Sequence, residues 1–105
     1  MNTKLNQEAS ILKLDWNKVK ERYKKDPITF TKEGDKFQIG KITETVLFLD
    51  LPCGEKSIRR KHLEKAVELI NKGKIINNPE DYVKLVNDKR ATNAWAILRD
   101  MGFTK

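Results

Sequence analysis

A chain of 105 residues has the length of one ordinary domain, enough to bury roughly two thirds of its unfolded surface without a disulfide. With Cys53 its only cysteine and His62 its only histidine, it excludes an internal disulfide, a cysteine zinc cluster, a His-rich metal site and a His-based triad. The net charge of +7 favours polyanionic partners, nucleic acid foremost, although solubility alone also accounts for it.

The charge is uneven. Residues 1–26 hold seven Lys/Arg against four Asp/Glu, residues 27–55 three against five, and residues 56–105 twelve against six, or +3, −2 and +6. The opening MNTKLNQEAS lacks the apolar stretch of a signal peptide, and no run approaches the roughly 20 apolar residues of a membrane helix. The expectation is one domain over 1–105, cytoplasmic, without membrane association, with residues 1–10 disordered.

A first helix is expected over 11–26, since Leu12, Trp16, Val19 and Tyr23 recur at helical spacing and Pro27 forbids continuation. It begins at an Asp15 cap, or earlier near Ser10 or Asn2. From 28 to 51 the period changes to two. ITF, KFQIGKI and TVLFLDL, separated by EGDK and TET, read as a three-stranded antiparallel meander. Leu47, Leu49 and Leu51 alternate with Val46 and Phe48, which suggests a central strand covered on both sides.

Leu51-Pro52-Cys53-Gly54 is a turn at which the chain is expected to leave the sheet, with a short fourth strand over Ser57–Arg59 as the alternative. A helix over 60–72 follows, with Leu63, Ala66, Val67 and Ile70 on one face and Gly73 as its stop. Asn78-Pro79-Glu80-Asp81 opens a helix over 79–87, and a last helix spans 91–101 before Gly102. The fold class is therefore α+β: an N-terminal helix, a three-stranded meander and three C-terminal helices.

Two stretches carry candidate site residues. In EKSIRRKHLEK the cations Lys56, Arg59, Arg60 and Lys61 gather where a helix begins, and positive charge there opposes the macrodipole by about 0.3–1 kcal/mol per residue. A bound phosphate would reverse that sign, because helix-start amides and arginine forks both accept anions. Alternatively the helix begins later and the segment is strand or turn. The second stretch joins helices 79–87 and 91–101 by a short polar connection, the spacing of a helix-turn-helix. Lys89, Arg90, Thr92 and Asn93 then lie at the start of the second helix, where Arg and Asn can read base edges, although Thr92 also suits an N-cap. Only five of the 22 basic residues are Arg, and Arg59, Arg60, Arg90 and Arg99 all fall in the C-terminal half. Arg99 is also placed to pair with Asp88 or Asp100.

Glu33, Asp35, Asp50 and Glu55 are the acids a metal-dependent nuclease would need to converge. Without a base near Cys53 or a nucleotide loop, the expectation is a protein that is not an enzyme and takes no cofactor. The reading is a small accessory or regulatory nucleic-acid-binding protein, DNA more than RNA. The alternative is a protein-interaction module, such as a phage or mobile-element inhibitor or adaptor of a nucleic-acid-handling enzyme.

Overall fold

Asp15 sets the start of the first helix. Its Oδ1 accepts hydrogen bonds from the backbone N–H groups of Asn17 at 3.0 Å and Lys18 at 3.3 Å, two amides that a helix start leaves without partners. In the computed structural model, which describes residues 13–86 and 90–104, α1 runs Trp16–Lys25 and buries Trp16, Val19 and Tyr23. The expected helix over 11–26 thus begins later, at the capped end. Leu12 and the expected disorder of residues 1–10 lie outside the described residues.

β1 (Ile28–Phe30), β2 (Lys36–Ile42) and β3 (Val46–Leu51) form the expected meander. It does not end there. After a Pro52-Cys53 turn, Gly54 takes φ 118°, a conformation that suits glycine. β4 (Gly54–Arg59) then pairs with β3 along its whole length, from Leu51 opposite Gly54 to Val46 opposite Arg59. The sheet therefore has four antiparallel strands in chain order, and the three-stranded expectation is corrected. As an edge strand, β4 buries Ile58 fully and otherwise carries polar side chains, so its sequence lacks the apolar alternation of a covered strand.

One sheet face carries Phe37, Ile39, Leu47, Leu49 and Ile58, which join the buried side chains of the helices in one cluster. Leu47 and Leu49 are wholly buried. Val46 and Phe48, on the other face, stay half-buried outside that cluster. β3 is thus central in pairing order, and among the described residues its Leu47 and Leu49 side is the one that joins the core cluster.

α2 (Arg60–Asn71), α3 (Pro79–Val86) and α4 (Ala91–Asp100) follow. At the end of α2 the amides of Gly73 and Lys74 donate to the carbonyls of Ile70 and Leu69 at 3.0 Å each, and Gly73 takes φ 93°. Asn78 caps α3, its Oδ1 accepting from Asp81 N–H at 2.9 Å. α4 is the core helix: Ala91, Ala94, Trp95, Ala96, Ile97 and Leu98 are all buried.

Candidate functional site

α2 begins at Arg60, directly after the strand. Arg59 is its N-cap in extended backbone, φ −79° and ψ 137°, and no side chain caps the first turn. Arg60 and Lys61 therefore stand in the positive end of the helix, together with His62. Burial explains how the helix tolerates them: Leu63, Ala66 and Val67 are at most 2% exposed. Burying a Leu or Val side chain contributes about 1.5–3 kcal/mol, against about 0.3–1 kcal/mol lost per cation at the helix start.

The β2–β3 turn is clamped against this helix start. The Arg60 N–H donates to Thr45 O at 2.8 Å, the Arg60 guanidinium donates to Glu44 O at 3.1 Å, and the Trp16 indole donates to Thr43 O at 2.7 Å. The Glu44 carboxylate pairs with Lys20 of α1 and lies 3.9 Å from Arg60. The Lys20 hydrogen bond, aided by its charge and that of Arg60, holds the Glu44 carboxyl below the usual range. Arg60 also reaches Glu64 at 3.2 Å and stacks over the Trp16 ring at 5.3 Å. Its role is therefore structural: it ties α1, the turn and α2 together.

These contacts frame an open depression of about 480 Å³ lined by Thr45, Val46, Arg59, Arg60, Lys61 and Glu64. Three cations face one carboxylate, and that carboxylate is already held by Arg60. Arg59 and Lys61 are exposed, and neither makes an ion pair among the described residues. Their side chains supply charge without an internal counter-ion. A second hollow, of about 180 Å³, is lined by Lys20, Tyr23, Lys24, Gly40 and Ile42, and its Lys20 pairs with Glu44, the residue before Thr45 of the first.

Lys56 is placed apart from its expected companions. It pairs across from Leu49, on the core-facing side of the sheet, whereas Arg59 pairs across from Val46 on the open side. The period of two separates residues three apart onto opposite faces.

The second group is also divided. Lys89 lies outside the described residues. Arg90, not Thr92, is the N-cap of α4, which makes Thr92 a helical residue. Thr92 is exposed, and Arg90 and Asn93 are half-buried at the first turn. Ala91 and the residues from Ala94 to Leu98 are sunk in the core, so beyond this turn only Arg99 and Asp100 keep partial exposure, where a major-groove helix presents a longer face. Arg99 is occupied in the fold: it donates to Phe30 O at 2.5 Å, pairs with Asp100 at 3.4 Å and packs over Trp95. The Arg99–Asp100 pairing was one of the two expected from sequence.

Among the acids, Asp50 lies directly opposite Glu55, while Glu33 and Asp35 belong to the turn after β1. No group of three or more His, Cys, Asp or Glu among the described residues is placed to hold a metal ion. Cys53 is exposed at the β3–β4 turn. No helix among the described residues is long and apolar enough to cross a membrane.

Reading the sequence missed Thr45, Val46, Glu44 and Lys20, which reach the site only through the hairpin and the packing of α1. The TET turn was legible as a turn, but nothing local marks it as the neighbour of Arg60.

The chain matches no family model, no curated protein and no solved structure. Its function is read from the chemistry of the site.

Proposed function

We propose that this protein binds nucleic acid by docking backbone phosphates in the depression between the β2–β3 turn and the start of α2. The observation that carries the reading is the convergence of Arg59, from the end of a strand, and Lys61, from the first turn of a helix, on one hollow with no ion-pair partner among the described residues. An anion there meets two cations and the positive end of the helix dipole. Lys24 of α1 adds a further cation beyond the Lys20–Glu44 pair. Phosphate contacts position a nucleic acid without reading its sequence, so the site suits an accessory or regulatory binder of DNA, and of RNA by the same chemistry.

The test is a salt series with labelled duplex DNA, single-stranded DNA and structured RNA in parallel. Affinity should fall as salt rises from about 50 to 200 mM, and R59E/K61E should reduce the slope of log K against log salt by about 2. The pair K74E/K84E makes the same change of net charge at other exposed lysines and should act more weakly. A flat salt dependence, or equal effects of the two pairs, would rule the site out.

A second reading, a protein-interaction module acting on a nucleic-acid-handling enzyme, draws on the opposite end of the open sheet face. There Asp50 and Glu55 stand side by side and Phe30 on the edge strand is 48% exposed. One stoichiometric protein partner in a pull-down, with no nucleic acid bound, would favour it.

A further inference from the structure

We propose that Phe48 is a stacking platform for an unpaired base, so that the preferred ligand is a single strand whose phosphates lie at Arg59 and Lys61. The proposal rests on the nucleic-acid reading above and names the form of ligand that the same surface takes.

Alternation along β3 places Val46, Phe48 and Asp50 on the face away from the core. Val46 pairs across from Arg59, and Phe48 across from Ser57. On the other side of Phe48 the register of Gln38 with Asp50 and Ile39 with Leu49 continues to Gly40, before it shifts toward Ile42. The residues directly across from the ring are thus a glycine and a serine.

Gly40 is the unexpected member. Its φ is not in the left-handed region, and a Cβ built on it meets the Phe48 backbone no closer than 3.5 Å, an ordinary contact. The fold does not demand glycine here, yet glycine in a strand costs about 0.5–1 kcal/mol relative to alanine. What its missing side chain provides is room beside a half-buried aromatic ring that lies outside the core cluster.

Charge sets the orientation. Two residues of strand, about 7 Å, separate Phe48 from Val46 and hence from the row that carries Arg59. A base on Phe48 leaves its sugar-phosphate beside Arg59 and Lys61. In the other direction Asp50 and Glu55 repel phosphate, so the backbone is confined to the basic end. A duplex keeps its base faces stacked on one another and cannot offer one to a sheet, whereas every unpaired base has a π-face.

The experiment measures affinity by fluorescence anisotropy for a single-stranded oligothymidine and for a DNA duplex of equal length, using the full chain. Oligothymidine should bind more tightly. Phe48→Leu should lower its affinity by about 5- to 100-fold and remove the preference, while the salt slope of oligothymidine binding is kept because no phosphate contact is lost. Gly40→Thr, which fills the space and leaves Phe48 in place, should act in the same direction and covers the case in which Phe48→Leu fails to fold. Equal affinity for the two ligands, or unchanged oligothymidine binding by a folded Phe48→Leu or Gly40→Thr protein, overturns the stacking platform. If R59E/K61E still weakens binding in that case, phosphate docking survives. Loss of salt dependence would remove both.

Discussion

At the C-terminal end of α4 the Asp100 carboxylate accepts from Tyr23 Oη at 2.7 Å and from Thr29 Oγ1, with the guanidinium groups of Arg99 at 3.4 Å and Arg22 at 3.8 Å. The side chain is 12% exposed, so its partners have little water to turn to. Removing the acceptor leaves two hydroxyls unsatisfied at about 1–3 kcal/mol each. Asp100→Ala should therefore cost about 2–4 kcal/mol in urea unfolding, and Asp100→Asn less, since it keeps an acceptor. Burial, and then the Asp100 carboxylate, push the Tyr23 phenol well above its ordinary 10.0. Because the folded value is raised, the stabilisation is complete below about pH 10 and is lost as the pH climbs from there. Urea midpoints measured against pH should fall more gently above pH 10 in Tyr23→Phe. The Arg99–Asp100 pairing could be read from neighbouring positions. The partners Tyr23 and Thr29, 77 and 71 residues away, could not, because only the packing of α1 and β1 against α4 brings them there.

Among the elements, α2 holds the conflict between stability and binding. Lys61 sits in its first turn, with Lys65 four residues on. Lys61→Glu replaces an unfavourable dipole interaction by a favourable one and adds an i,i+4 pair, so it should stabilise the protein by about 0.5–2 kcal/mol at low salt. The same change should weaken nucleic-acid binding. Thermal melts and anisotropy on one sample check both signs, and a loss of stability would show that Lys61 serves the fold. The start of this helix was the open point in the sequence, because RRK suits the end of an edge strand as well as a helix. Pairing with β3 decides it: Arg59 is the last residue opposite a partner, and Arg60 the first to turn. The α4 segment shows the reverse case. Its sequence is compatible with a surface recognition helix, but three alanines at 91, 94 and 96 let it sink among its neighbours.

For the molecule as a whole, Trp95 is the point at which distant parts meet. It is 1% exposed, and its indole donates to Ile76 O at 3.3 Å, a carbonyl that Thr104 also reaches at 2.6 Å. Lys32 from the β1–β2 turn and Arg99 lie over its rings at 5.2 and 5.3 Å. Trp95→Ala should cost about 3–5 kcal/mol, a large part of the roughly 5–15 kcal/mol typical of a domain. Because helices and sheet share one core cluster, the loss should lower a single cooperative transition. Far-UV circular dichroism and Trp16 fluorescence should report the same midpoint, and separate midpoints would show the core to be divided.

The sequence by itself determined the α+β class, the start of α3 at Asn78-Pro79, the positions of the helix-ending Gly73 and Gly102, and the strands through Leu51. Those features depend on local chemistry: hydrophobic period, a side chain that caps its own turn, or a glycine that accepts positive φ. It also marked Arg59, Arg60 and Lys61 as charges in need of a reason. Tertiary structure decided what those three do. Pairing with β3 puts Arg59 on the open face, the Glu44–Trp16 clamp occupies Arg60, and Lys61 is left at the hollow. It likewise decided that β4 joins the sheet and that Lys56 faces the core side. An edge strand with one buried residue has almost no hydrophobic signature, so its place becomes visible only when its partner strand is beside it.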